Sequence, residues 1–324
     1  MKQGRRFWAA AAVMVGIMFL FTFTVGGCSR SAPAEKVSAI NITYVKAPLN
    51  VPSIVEKQRQ MFEQEFAKDG ITVTSQEITS GAKQTEAVAA GALDFCNGLG
   101  GTSAILAAAN GVDIKIISMY SRAPKAFMIL VKSPDIRSVP DLKGKKVAGP
   151  KGTILHQLLV TALVKNSLRA EDVQFFNMDI PGAVAALMNG SVDAALVAGA
   201  DANKAMSAGA RLLTDGQGLV DGTVVVGVRG GFLKQHPDLV KRFKQVQLDS
   251  VAFIRQNPEE AYRLAANELG LTVDEVRQMY PWYDFDPQVK DSDIQELKAT
   301  QDFLYNNGML TKKIDIEGLV VKDQ

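Results

Sequence analysis

Between residues 39 and 120 the apolar positions switch between two periods. Ile40-Asn41-Ile42-Thr43-Tyr44-Val45 alternates apolar and polar side chains, Ile54, Val55, Phe62 and Phe66 recur at helical spacing, and Ile71-Thr72-Val73-Thr74 returns to alternation. A helix Ala87-Val88-Ala89-Ala90 closes at Gly91, and Leu93-Asp94-Phe95-Cys96 predicts a strand. A glycine-rich turn then opens a small-residue helix, Ser103 to Asn110, ended by Gly111, and Ile114 to Tyr120 predicts a buried strand. Short strands alternating with helices define an α/β chain.

The plan recurs about a hundred residues on: strand Lys146-Val147-Ala148, loop Pro150-Lys151-Gly152-Thr153, helix Ile154 to Ser167, strand Val173-Gln174-Phe175-Phe176, helix Ala183 to Met188. Gly91-Ala92-Leu93-Asp94 matches Gly190-Ser191-Val192-Asp193, and the later glycines Gly111 and Gly209 keep nearly the same offset. The reading is one unit used twice; the alternative is that a glycine cap and a turn before a strand arise in any α/β chain. After Gly222 the run Thr223-Val224-Val225-Val226-Gly227-Val228 predicts a strand, and the chain is helical from Pro237 almost to its end, with helix starts at Pro258-Glu259-Glu260 and Asp291-Ser292-Asp293. The chain leaves a first lobe, builds a second and returns, so two crossings form a hinge.

Composition narrows the function. The 324 residues suffice for about two domains. Lys and Arg number 36 against 34 Asp and Glu, a balance without the basic field that nucleic-acid binding needs. Two cysteines and two histidines do not supply an ordinary structural metal site, and no cofactor is expected.

Lys2, Arg5 and Arg6 precede an uncharged stretch from Phe7 to Gly27, the order of an export signal. Val25-Gly26-Gly27-Cys28 resembles a bacterial lipoprotein box, which makes 1–27 a signal peptide, Cys28 the lipidated first mature residue and 28–36 a tether. The alternative is a transmembrane anchor, since the run can cross a hydrocarbon core of about 30 Å. Either way the rest of the chain lies outside the cytoplasm. Cleavage takes the formal charge from +2 to −1, so any attraction for anions must be local.

In α/β sheets ligands sit beyond the carboxyl ends of strands, where helix N-termini offer free N–H groups. Four loops qualify: Ala47-Pro48-Leu49-Asn50, Asn97 to Ser103, Gly149 to Thr153, and Ala198-Gly199-Ala200-Asp201. Their glycines allow close approach, and Asn50, Thr102, Ser103 and Thr153 offer hydrogen bonds, although helix capping alone also explains each. Gly98-x-Gly100 lacks the third glycine of a dinucleotide turn, and no nucleotide, hydrolase or metalloprotease motif occurs. Cys96 reads as a buried, inert thiol. Lys83, Arg122, Lys125 and Lys151 are placed in loops on the cleft side as anion contacts, and His156 is either a helix-surface residue or a ligand contact. Tyr280 to Phe285 is read as pinning the C-terminal helices.

Ser138-Val139-Pro140-Asp141-Leu142-Lys143-Gly144-Lys145-Lys146-Val147, followed by Gly152-Thr153-Ile154-Leu155-His156, with Gly100-Gly101-Thr102 and Gly190-Ser191-Val192-Asp193-Ala194, resembles the sulfonate, taurine and nitrate group of substrate-binding proteins for ABC importers, from about Ile40 to Ile316. The resemblance implies a type II periplasmic-binding-protein-like α/β fold, each lobe a mixed sheet flanked by helices. It implies lobe 1 over 37–123, lobe 2 over 124–222, and a return to lobe 1 with C-terminal helices over 223–324. It also implies an anionic ligand held by Gly100, Thr102, Gly152, Thr153 and His156; with the loop residues read above, Asn50, Lys83, Gly101, Ser103, Lys125 and Gly199 complete the candidate contact set. Many members have Gly-Asp-Thr where this chain has Gly100-Gly101-Thr102, which removes a carboxylate suited to an amine. The run Ala195 to Ala200 stands where many members have two tryptophans, which opens the cleft or invites a bulkier ligand. The expected protein is no enzyme but a monomeric, lipid-anchored receptor delivering a small anion to a permease. Rivals are thiamine-pyrimidine precursor binding or synthesis on the same fold, and a sensory lobe.

Overall fold

The computed structural model describes residues 37–321. The first unit runs β1 (Ala39–Tyr44), α1 (Val51–Gln58), α2 (Met61–Ala67), β2 (Thr72–Glu77), α3 (Gly81–Ala89), β3 (Phe95–Gly100), α4 (Gly101–Ala109) and β4 (Ile114–Arg122). The second runs β5 (Phe127–Val131), β6 (Lys146–Gly149), α5 (Ile154–Lys165), β7 (Gln174–Asn177), α6 (Ile180–Met188), β8 (Ala194–Ala198), α7 (Gly199–Ser207) and β9 (Arg211–Asp215). The chain then adds β10 (Thr223–Arg229), α8 (Gly230–Gln235), α9 (Pro237–Gln256), α10 (Pro258–Leu269), α11 (Val273–Met279), α12 (Asp291–Asn306) and α13 (Ile316–Leu319).

Two mixed five-stranded sheets result, ordered β2-β1-β3-β10-β4 and β7-β6-β8-β5-β9. The orders are equivalent position by position. In each, the fourth strand is antiparallel to the third: β10 against β3 in one sheet, β5 against β8 in the other. The unit is therefore used twice, with one exchange. Each edge strand, β4 or β9, is followed by a crossover that delivers the antiparallel strand of the opposite sheet. The two crossovers are bonded to one another, Ala123 N donating to Asp221 O at 3.2 Å and Gly216 N to Pro124 O at 3.1 Å. The two sheets are thus joined by a pair of mutually bonded segments.

The repeated Gly-x-x-Asp has a physical cause. Gly91 (φ +70) and Gly190 (φ +80) end α3 and α6 in the left-handed region, where glycine alone bears no Cβ penalty. The aspartate then clamps the strand that stands second in its sheet order, β1 or β6. Asn41 N donates to Asp94 Oδ2 at 3.0 Å and Lys146 N to Asp193 Oδ2 at 2.8 Å, while the aspartate amides return bonds to the carbonyls of Asn41 and Lys146.

Several boundaries differ from the sequence reading. The strand predicted over Leu93–Cys96 lies at Phe95–Gly100, so the glycine-rich segment expected as a turn is largely strand, ending where α4 begins. Its glycines leave the backbone free to pair with β10, whose register shifts between Val225 and Val226. The strands β5 and β9 had not been anticipated. The Tyr280–Phe285 cluster does pin the C-terminal helices: Tyr283 and Phe285 are buried and stacked at 5.4 Å, and Tyr120 and Tyr280 lie against Phe285. Among the described residues no helix is long and apolar enough to cross a membrane.

Candidate functional site

The strand-to-helix junctions of both sheets meet across one cleft. On one side are the segment before α1 and the junction of β3 with α4; on the other are the loop before α5 and the junction of β8 with α7. Glycine permits the contact. A methyl group placed on Gly199 (φ +50) would lie 2.5 Å from both Cβ and O of Pro48, and Ala200 N donates to Pro48 O at 2.9 Å. At the other end Ser103 Oγ donates to Gly152 O at 3.0 Å, and Gly100 lies against Ile154. Thr102 Oγ1 donates to Gln157 Oε1 at 2.6 Å. Gly101, Thr102, Ile154 and Gln157, with Glu296 and the second crossover, line a recess too narrow for a water molecule.

The helix starts here hold donors in reserve. The first turns of α3 and α4 receive no side-chain cap, and in that of α7 Ala200 N is bonded to Pro48 O, which leaves further N–H groups free for an acceptor; in α1 Ser53 N is taken by the Tyr120 hydroxyl at 3.1 Å, and in α6 Gly182 N by Asp179. In α5, Thr153 Oγ1 accepts from His156 N at 3.5 Å while donating to Pro150 O at 2.8 Å. The imidazole of His156 is half-buried over Phe175, with centroids 4.8 Å apart, and Nδ1 accepts the Gly152 N–H at 3.3 Å. Burial first, and the Lys151 charge second, push its pKa down to about 4. The ring is therefore neutral at pH 7, with its proton on Nε2 as a donor.

The remaining expected contacts divide. Gly100, Gly101, Thr102, Ser103 and Gly152 converge, and Gly199 meets the segment before Asn50. Asn50 is buried, and its Nδ2 is turned to Ala47 O at 3.1 Å, so it braces its own loop. Lys83 lies not in a loop but in the first turn of α3, its side chain exposed; that helix starts at Gly81, which abuts Ser103. Lys125 is exposed in the first crossover and Lys151 in the loop before α5. Arg122 is no loop cation: it ends β4 and is consumed by Asp293 at 2.6 Å, Asp284 at 3.2 Å and the carbonyls of Asp286 and Gln288. Cys96 is buried in β3, and burial pushes its thiol up to about 12.

Sequence reasoning missed Gln84, Gln157, Glu296 and Thr300. Gln84 Oε1 is buried without a partner, while its Nε2 reaches Ile78 O at 3.0 Å. Gln157, one turn after Thr153 on α5, follows Ile154 on the same helical face, a signal open to inspection. Glu296 and Thr300 carried none, because α12 reaches the cleft only through tertiary folding. Among the described residues no group of acids, histidines and cysteines is placed to hold a metal ion.

Residues 63–261 match the NMT1/THI5-like family. A Bacillus subtilis protein named for aliphatic sulfonate binding is 31% identical over 95% of this chain and 93% of its own length. The taurine-binding periplasmic protein of Escherichia coli is 29% identical over 70% of each chain. The alkanesulfonate-binding protein SsuA from Xanthomonas axonopodis, solved with MOPS bound, superposes with a TM-score of 0.81 at 26% identity, covering 90% of this chain and 100% of the other.

Proposed function

We propose, because the chain belongs to the NMT1/THI5-like family, that it is the extracytoplasmic solute receptor of an ABC importer, taking a small sulfonate-type anion into the interlobe cleft and delivering it to a permease. The observation that carries the reading is the convergence of strand-to-helix junctions from both sheets on one cleft, with the first turns of α3 and α4 left without a side-chain cap. Free N–H groups at helix N-termini favour anions, and contacts drawn from two lobes form together only on closure. The His156 Nε2–H adds a donor without adding net charge, while the hydroxyls of Thr102 and Ser103 are spent on Gln157 and Gly152 across the cleft. Binding of this kind needs no bond making, and no catalytic group is assigned. The lobe limits are those read from the sequence: 37–123 and 223–324 for lobe 1, 124–222 for lobe 2.

The test is thermal unfolding of the full chain with alkanesulfonates, taurine, nitrate, bicarbonate and pyrimidines, with glucose as neutral control. Ligand at 100 times its Kd is expected to add about 2.7 kcal/mol of stability. A selective rise with a sulfonate supports the reading; a rise only with a pyrimidine moves the chain toward the precursor-binding function, and no rise with any of them overturns the sulfonate assignment.

The segment with Cys28 lies outside the described residues, and its lipidation is part of the proposal. Cys28→Ser is expected to move the protein from the membrane to the soluble fraction, measured by fractionation and immunoblot. Retention in the membrane would instead support a plain apolar anchor.

A further inference from the structure

Gln157 is 6% exposed, and both ends of its amide are used. Oε1 accepts the Thr102 hydroxyl at 2.6 Å, and Nε2 donates to Thr300 Oγ1 at 3.0 Å. The Thr300 hydroxyl in turn donates to Glu296 Oε1 at 2.8 Å. The chain of donors has one direction, from Thr102 through Gln157 and Thr300 to the Glu296 carboxylate. Thr102 belongs to α4. Thr300 and Glu296 belong to α12, whose Ile294, Leu297 and Leu304 are buried in the same apolar cluster as Ile105 of α4 and Ile116 of β4. Gln157 belongs to α5, in the other lobe. A single side chain is thus held at both ends by the opposite lobe.

We propose that Gln157 is a latch between the lobes, a positioning residue that stabilises the closed cleft through Thr102 and Thr300 and so sets the affinity for every ligand alike. The argument is one of linkage. A hydrogen bond made only in the closed form shifts the open–closed equilibrium whether or not a ligand is present, and apparent affinity scales with the closed fraction. Opening leaves three buried polar groups to find water, so the two bonds are worth about tenfold in that equilibrium. This inference rests on the reading of a closing receptor.

The direction of the chain supplies a test that packing alone does not pass. In Gln157→Glu, two carboxylates compete for the one Thr300 proton, and the new charge faces Glu296, with Asp221 and Asp293 adding the same sign nearby. The cleft is expected to open at pH 8. Adding Glu296→Gln reverses the chain: the new amide at 296 donates to Thr300, whose hydroxyl donates to the new carboxylate at 157, which still accepts from Thr102. Closure is expected to return.

The experiment places spin labels on Glu86→Cys and Lys151→Cys, both exposed, on opposite sides of the Ser103–Gly152 contact, in the full chain carrying Cys28→Ser; Cys96 is too buried to react. The distance in ligand-free protein is expected to lengthen in Gln157→Glu and Gln157→Ala and to recover in the double variant. Separately, unlabelled Gln157→Ala is expected to bind methanesulfonate, MOPS and taurine about tenfold more weakly in each case, and the double variant within about threefold of the parent. An unchanged distance in Gln157→Glu, or no recovery in the double variant, overturns the latch. Losses that differ between ligands overturn it too, by making Gln157 a ligand contact. Because the distances need no ligand, failure of the receptor assignment leaves this test intact.

Discussion

Gly199→Ala is expected to leave both lobes folded and to weaken ligand binding by about a hundredfold, close to 3 kcal/mol. Two effects act at this position, and they separate by conformation. The first is local: φ is +50, and an alanine in the left-handed region costs about 1–2 kcal/mol whether the cleft is open or shut. The second exists only on closure. The new methyl would stand 2.5 Å from Cβ and O of Pro48, backbone and ring atoms that cannot turn aside as a flexible side chain would. Closing would then also break the 2.9 Å bond from Ala200 N to Pro48 O. Gly152→Ala is the control. Its φ of +72 carries similar backbone strain, but the added methyl meets only Leu106 Cδ1, at an ordinary 3.5 Å. Titration calorimetry should find the Gly152 variant far less impaired, with similar melting temperatures for the two. Equal losses would mean that strain alone, not obstruction of closure, is responsible.

Much of this architecture was legible because it is local. Strand and helix periods follow from side chains two and 3.6 positions apart, and the Gly-x-x-Asp repeat marks a left-handed cap followed by a strand clamp in both sheets. What the sequence reading missed is non-local. Phe127-Met128-Ile129-Leu130-Val131 is plainly strand-like, yet its place as an antiparallel insertion in the second sheet depends on a crossover that carries no period. Thr102 and Gln157 are 55 positions apart, and Gln157 and Thr300 are 143 apart, so neither pairing leaves a spacing to read. Charge misled in the same way. Arg122 resembled a free cleft cation, but four groups between Asp284 and Asp293 take up its guanidinium and tie the C-terminal helices to the end of β4. The groups that converge at the cleft are thus mainly neutral, and the lysines that the sequence brought forward, Lys83, Lys125 and Lys151, are exposed.

The same separation between local pattern and tertiary placement governs Glu56, which on α1 reads as an ordinary surface acid and is 2% exposed. Its Oε2 accepts from Asn97 Nδ2 at 2.7 Å and its Oε1 lies 2.9 Å from Ser250 Oγ. Ser250 Oγ is also 2.9 Å from Gln247 O, and a hydroxyl has one proton for these two acceptors. A protonated Glu56 satisfies both, donating to Ser250 while Ser250 donates to Gln247. Burial accordingly pushes the carboxyl up to about 7, against the opposing bonds from Asn97 and Ser250. The sign follows directly. Between about 4.5 and 7 the folded chain keeps a proton that the unfolded chain releases, so this site's contribution to stability falls as pH rises through that window and is flat above it, a loss of roughly 3 kcal/mol at most. Glu56→Gln retains the pattern, its amide donating to Ser250 and accepting from Asn97, without the titration. Urea unfolding should find the variant close to the parent near pH 4.5 and more stable by up to that amount at pH 8. The raised Glu296 carboxyl is common to both proteins and cancels in the comparison. Glu56→Ala, which strands Asn97 and leaves a cavity, is expected to lose about 2–4 kcal/mol at either pH. A Gln variant destabilised equally at both pH values would show instead that the folded protein holds Glu56 ionised. The site matters to the cleft because α1 begins just after Asn50 and Asn97 lies three residues before Gly100, so one buried proton fixes the relative placement of two segments that line it.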